Sequence, residues 1–196
     1  MEKMSGKKRL IIGLVSIFVL AVLVLFCCGD LTITKIDETS KDTEESIDES
    51  VDVLDEASLE LFDTGKGLTI KMGSGMKENK NGDHSVYYFA DNVMVSVKMV
   101  GFEELEEDGT GSADSSIEDY IKIIEDNNEN IAFTTDSYGN PSTTYTVEDK
   151  KNDLFYYATV RKGSEAFWLI NFSCLEEEKD ARLPEFELWA STIEVN

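Results

Sequence analysis

Leu68, Ile70 and Met72 alternate with Thr69 and Lys71, the period of two expected of a strand with one buried face. Residues 86–90 and 93–100 read as two further strands. Between them stands Asp91-Asn92, a pair that tolerates positive φ and suits a tight hairpin. In the second of these strands Val93, Val95, Val97 and Met99 fall on one side and Ser96 and Lys98 on the other, which predicts a half-buried antiparallel strand. A stretch rich in Glu, Gly and Ser comes next and reads as a loop. Ser115-Ser116-Ile117-Glu118 then has the spacing of a capping box, and Ile117, Tyr120, Ile121 and Ile124 recur at helical intervals. A helix of about three turns is predicted from near Ser116 to between Asn127 and Asn130. Three more strands are expected at 131–135, 143–147 and 154–161, with turns at Tyr138-Gly139-Asn140-Pro141 and Lys150-Lys151-Asn152-Asp153.

The last predicted strand, 166–174, carries Ala166, Trp168, Ile170, Phe172 and Cys174 on one face and Phe167, Leu169, Asn171 and Ser173 on the other. Large apolar groups on both faces predict a central position with a layer on each side. After Leu183-Pro184, with proline suited to a first helical turn, Phe186, Trp189, Ala190 and Ile193 form the apolar stripe of a helix that closes over the sheet.

The longest apolar run lies near the start of the chain. Residues 10–28 carry no charge, and as a helix these 19 residues would rise roughly 28 Å at about 1.5 Å each, close to the hydrocarbon thickness of a bilayer. Lys3, Lys7, Lys8 and Arg9 precede the run, and short basic flanks are retained in the cytoplasm. Residues 1–9 are therefore read as a cytoplasmic basic flank, 10–28 as a single transmembrane anchor, and everything after as extracytoplasmic. A cleaved signal peptide has a shorter apolar core and small residues at its cleavage site, whereas this run ends in Val24, Leu25 and Phe26. The alternative is a surface lipoprotein lipidated at Cys27 or Cys28, against which Phe26, not a small residue, precedes Cys27. The plain reading of this cysteine pair is two small apolar residues finishing the span.

Charge distinguishes the exported region. The chain holds 40 acidic and 18 basic side chains, a formal net charge of −22; residues 1–28 carry four basic and one acidic group, so the exported part stands near −25. Such a surface repels phosphate backbones and anionic headgroups, which excludes nucleic acid as a partner and leaves cations and basic protein patches electrostatically open. Residues 29–58 have few large apolar groups, no aromatic ring and many like charges, and are read as an acidic disordered tether. Val51, Leu54, Leu59 and Phe62 have spacing for a short helix leading into the domain. Residues 59–196 hold all seven tyrosines, both tryptophans and eight of the ten phenylalanines, enough for one domain with its own core.

Candidate chemistry is sparse. His84 is the only histidine, so no histidine cluster for a metal exists within one chain, and it reads as a solvated turn residue. No nucleophile elbow or cofactor motif follows the anchor; no cofactor and no enzymatic activity are expected. Cys174 falls among the apolar residues of the central strand and reads as a buried small hydrophobe without a disulfide partner in the domain. Asn171-Phe172-Ser173 matches a glycosylation sequon but sits in that same strand, which argues against its use. Tyr87, Phe89 and Tyr157 are the aromatic residues expected to form a surface patch. The densest feature is acidic: Glu103, Glu104, Glu106, Glu107, Asp108 and Asp114 place six carboxylates within twelve residues, with Gly109 and Gly111 between. They are candidates for a docking surface for a basic partner or for a weak cation site, although their spacing is not that of an EF-hand.

One strand, a hairpin, a helix, a three-strand meander and a closing helix resemble the PsbP-like fold. The segments that carry the resemblance are 65–72 (GKGLTIKM), 153–174 with its DLFYYATV and FWLINFSC runs, and 186–195 (FELWASTIEV). The resemblance implies an α+β domain, an antiparallel sheet of about six strands flanked by helices, here preceded by one N-terminal transmembrane helix. Such domains occur in photosystem accessory proteins, small bacterial lipoproteins and a Ran-binding nuclear-transport factor, and they act as non-enzymatic binding or assembly modules. The function this implies is a membrane-anchored extracytoplasmic protein-binding or assembly module at the cell membrane, its partner unknown. The alternative is a surface lipoprotein or ligand- or cation-binding domain that uses the acidic segment.

Overall fold

The computed structural model describes residues 56–80, 85–90, 92–148 and 153–196. The expected anchor, the cysteine pair Cys27 and Cys28, nearly all of the tether, His84, and Lys150 to Asn152 of one predicted turn lie outside the described residues. No described helix is long and apolar enough to cross a membrane.

Seven strands form one antiparallel sheet: β3 (Lys77–Lys80), β4 (Ser85–Ala90), β5 (Val93–Gly101), β6 (Thr134–Thr135), β7 (Pro141–Val147), β8 (Leu154–Lys162) and β9 (Ala166–Leu175). Their spatial order is β3-β4-β5-β9-β8-β7-β6. β9 is fourth of seven, the central place that its two apolar faces require. Its neighbours β5 and β8 pair with it along nearly their whole length, from Met94↔Ser173 to Gly101↔Ala166 on one side and from Leu154↔Leu175 to Lys162↔Phe167 on the other. A smaller antiparallel sheet is made by β1 (Glu60–Asp63), β2 (Leu68–Met72) and β10 (Glu194–Val195), with β2 in the middle.

Three helices complete the domain: α1 (Phe102–Asp108), α2 (Ile117–Asp126) and α3 (Lys179–Ser191). On one face of the large sheet, Val95, Val97, Trp168, Ile170, Phe172 and Cys174 pack against Leu68, Ile70 and Met72 of β2 and against Phe186, Trp189 and Ala190 of α3. On the other face Val100, Val160, Phe167 and Leu169 meet Phe102 and Leu105 of α1 and Tyr120 and Ile124 of α2. The domain is thus α+β with a layer on each side of the sheet.

Several expectations change. Residues 131–135 contribute only the two-residue β6, because Phe133 turns inward to the α2 layer and its amide bonds the Glu125 carboxylate at 2.7 Å. Leu59 and Phe62 do not continue a helix; after a 3-10 turn at Glu56–Ser58, Phe62 lies in β1 opposite Ile70 and edge-on to Tyr88. α3 starts before Pro184, which lies inside it; the 3-10 turn Glu176–Glu178 leads into the helix, and Phe186, Trp189 and Ala190 bury as the stripe predicts. β1, β3 and β10 are additional to the predicted strands. The capping box of α2 is closed by Ser116 and Asp119, one residue later than the predicted spacing: the Asp119 amide donates to Ser116 Oγ at 3.1 Å and the Ser116 amide to Asp119 Oδ2 at 2.8 Å.

Candidate functional site

The acidic segment is a helix, not the loop that its composition suggests. Phe102 and Leu105, three apart, both bury against the sheet, and that single anchoring stripe is enough to hold seven residues as α1. Gly109, at φ 68°, takes the left-handed turn that lets its amide and that of Thr110 return to the carbonyls of Glu106 and Leu105, at 3.1 and 2.9 Å. Glu103, Glu104, Glu106 and Glu107 are exposed on the outer side of the helix; Asp108 is half-buried, and Asp114 is exposed on the loop after it.

Lys162, at the end of β8, sits beneath this element. Its ammonium donates to the carbonyls of Ala113 and Ser115 at 2.7 Å each and lies 5.5 Å from the Phe102 ring centroid and 5.8 Å from that of Phe167. Phe167 is in turn stacked on Tyr120 at 4.4 Å. A cation held over two rings ties the helix and the loop to the sheet, so the carboxylates stand on a rigid mount.

The charges on α1 are not arranged for its own stability. Glu103 and Glu104 lie in the first turn, where the helix dipole favours anions; Glu106, Glu107 and Asp108 lie in the last, where it disfavours them, and that turn has no basic residue. Glu104 acts electrostatically on Lys98 of β5: burial lowers the affinity of that ammonium for its proton, and Glu104 opposes the shift. Among the described residues no three Asp, Glu, His or Cys side chains converge where they could hold a metal ion.

A second constellation lies between α3 and β7, where the sequence offers no candidate. Two depressions of about 330 and 220 Å³ share Thr144 and Leu183 and so form one groove. Asp136, on the turn between β6 and β7, faces the second of them. It accepts from the Tyr157 hydroxyl at 2.6 Å, from the amides of Tyr138 and Asn140 at 2.9 and 2.7 Å, and from Asn140 Nδ2 at 3.0 Å. Burial alone would raise this carboxyl, but the four donors outweigh it and hold it below the ordinary carboxylate range. Arg161 closes the set, donating to Asn140 Oδ1 at 2.7 Å and to the Ala190 carbonyl near the end of α3 at 2.8 Å. With its lone pairs filled, Asp136 joins the turn to the core; it offers nothing to a ligand. The motif Asp136…Gly139-Asn140-Pro141 is the available signal, and by sequence it reads only as a turn.

Tyr157 is thereby removed from the expected aromatic surface patch: it is buried in the main core with its hydroxyl on Asp136. Tyr87 is buried too, clustered with Met94 and Tyr156 and stacked on Phe89 at 6.4 Å, and only Phe89 of the three stays half-exposed. Cys174 is free and buried, with its thiol pushed up to about 11 by desolvation, and Asn171 is buried in β9, where a glycosylating enzyme could not reach it. Trp168 and Trp189 are core residues.

No protein-family description matches the sequence, and no curated protein is similar to it. Solved structures are similar in fold. A protein of Bacteroides thetaiotaomicron has a TM-score of 0.52 at 12% identity over 71% of this chain, which spans about half, 49%, of that longer protein. Cyanobacterial PsbP (CyanoP) from Synechocystis has a TM-score of 0.44 at 16% identity, over 71% of this chain and 94% of its own. The Saccharomyces cerevisiae Ran-binding protein Mog1p has 0.46 at 10%, over 70% and 95%. At these identities the likeness is one of fold alone.

Proposed function

We propose that the protein is a non-enzymatic, membrane-anchored extracytoplasmic module that docks a basic partner protein through the outer face of α1. The observation that carries this reading is the set of exposed carboxylates Glu103, Glu104, Glu106 and Glu107 on a rigidly mounted helix whose own dipole disfavours the last two. Charges kept where they cost local stability, on an element fixed by Phe102, Leu105 and Lys162, are better suited to recognition than to solubility, which scattered surface charge serves equally well. The anchor at 10–28 and the acidic tether would hold that face off the membrane. Purification of the full chain from its native membrane tests the reading: a stoichiometric basic partner is expected, and a chain that purifies alone contradicts it.

A further inference from the structure

The large sheet has one guarded edge and one open edge. β3, at one side, carries Lys77 and Glu78, charges of the kind that discourage strand addition. At the other side β6 pairs with β7 only at Pro141 and Ser142, and among the described residues no strand lies beside 143–147 there. That stretch, Thr143 to Val147, has no charge and no proline. Uncharged edges of this kind are templates for an added extended segment. The larger part of the groove, about 330 Å³, lies between this strand and α3, lined by Thr144, Tyr145, Thr146 and Phe155 on the sheet and by Lys179, Asp180 and Leu183 on the helix.

We propose that residues 31–36 of the same chain, Leu31-Thr32-Ile33-Thr34-Lys35-Ile36, add to β7 as an eighth strand. These six residues are free of acid between Asp30 and Asp37, and four of them are β-branched. In an extended chain Leu31, Ile33 and Lys35 share one side. With that side toward α3, the two apolar side chains lie over Leu183, and the ammonium faces Asp180, which has no ion pair among the described residues, while the neighbouring Lys179 is paired with Glu176. The connection is long enough. Nineteen residues, 37–55, separate the segment from Glu56, which is held on β2 by its 2.6 Å pair with Lys71. Such a connector spans up to about 65 Å extended and about 25 Å on average, against a radius of gyration of about 14 Å for a domain of this size. Being intramolecular, the association starts from an effective concentration on the order of millimolar. A second copy is the poorer occupant, because edge-to-edge pairing would bring together two domains of strongly negative charge. The inference does not involve α1; with the anchor at 10–28 it would set the β7 edge beside the membrane and reduce the free part of the tether to residues 37–55.

Backbone hydrogen exchange of the full chain in detergent micelles tests it, comparing the natural sequence with Ile33→Asp and Ile33→Val. Amides within 143–147 that do not bond β8 should be protected in the natural protein and in Ile33→Val. In Ile33→Asp they should exchange about tenfold faster or more, while β8 and β9 stay unchanged. Equal exchange in all three proteins overturns the proposal. So does protection that appears only as protein concentration rises, because it would assign the edge to a second copy.

Discussion

The hydroxyl of Tyr157 donates to the carboxylate of Asp136 across 2.6 Å, joining the centre of β8 to the turn that starts β7. Burial pushes the Tyr157 hydroxyl far above its ordinary value, and the neighbouring carboxylate adds to the shift, so at neutral pH it is a donor. Arg161 extends the link through Asn140 to Ala190 of α3. The meander and the closing helix therefore share one polar lock.

Tyr157→Phe should cost about 1–3 kcal/mol at neutral pH, the scale of a hydrogen bond to a charged group, measured by urea unfolding. Because the folded-state pKa of Asp136 is depressed, its contribution is complete above the ordinary value of 3.8 and is lost as pH falls through the lower folded value. The gap between the natural protein and Tyr157→Phe should accordingly narrow when unfolding is measured below pH 3.8. A gap that is unchanged there would mean that the bond is not made to a carboxylate.

Phe186 and Trp189 of α3 contact Phe172 at ring-centroid distances of 5.5 and 6.2 Å. Truncating either side chain to alanine should cost roughly 3–5 kcal/mol. Deleting the chain from Leu183 onward should abolish cooperative unfolding, since it also removes β10 from the edge of β2. Full thermal stability after that deletion would show that α3 does not close the core.

Glu106→Lys and Glu107→Lys should raise stability, each by about 0.3–1 kcal/mol, because they replace an anion with a cation at the C-terminal end of α1. Thermal melting at low salt is the check. Unchanged or lower melting temperatures would remove the argument that these carboxylates stand where they cost the fold.

The central strand, the hairpin before it and the apolar stripe of α3 are legible in the sequence because burial is written in period: two for β5 and β9, between three and four for Phe186, Trp189 and Ala190. The illegible parts depend on contacts far along the chain. β10 is two residues long and exists only because Leu68 and Thr69 of β2 receive it. α1 is hidden because six acids within twelve residues read as solvated chain, while the information lies in just Phe102, Leu105 and Gly109. Tyr157 reads as a surface residue by alternation, yet β8 is buried on both faces, and its ring packs on Phe172 while its hydroxyl reaches Asp136, 21 residues away.

Residues 10–28, with four basic residues before them, lead to the expectation that the protein stays with membranes after high-salt and alkaline washing and that external protease digests the region after residue 30. Fractionation with immunodetection of the C-terminal domain is the measurement. Release by salt alone would remove the anchor; retention with a mature N-terminus at Cys27 or Cys28 would establish the lipoprotein form.

The most direct test of the docking face is partner capture from native membranes by the full chain and by a Glu104→Lys, Glu106→Lys, Glu107→Lys triple variant, each across a series of salt concentrations. The natural protein should retain a basic partner that weakens as salt rises, and the triple variant should retain much less of it, with a shallower salt dependence. Equal capture by the two proteins at every salt concentration would contradict the account and leave the carboxylates of α1 as a contribution to solubility.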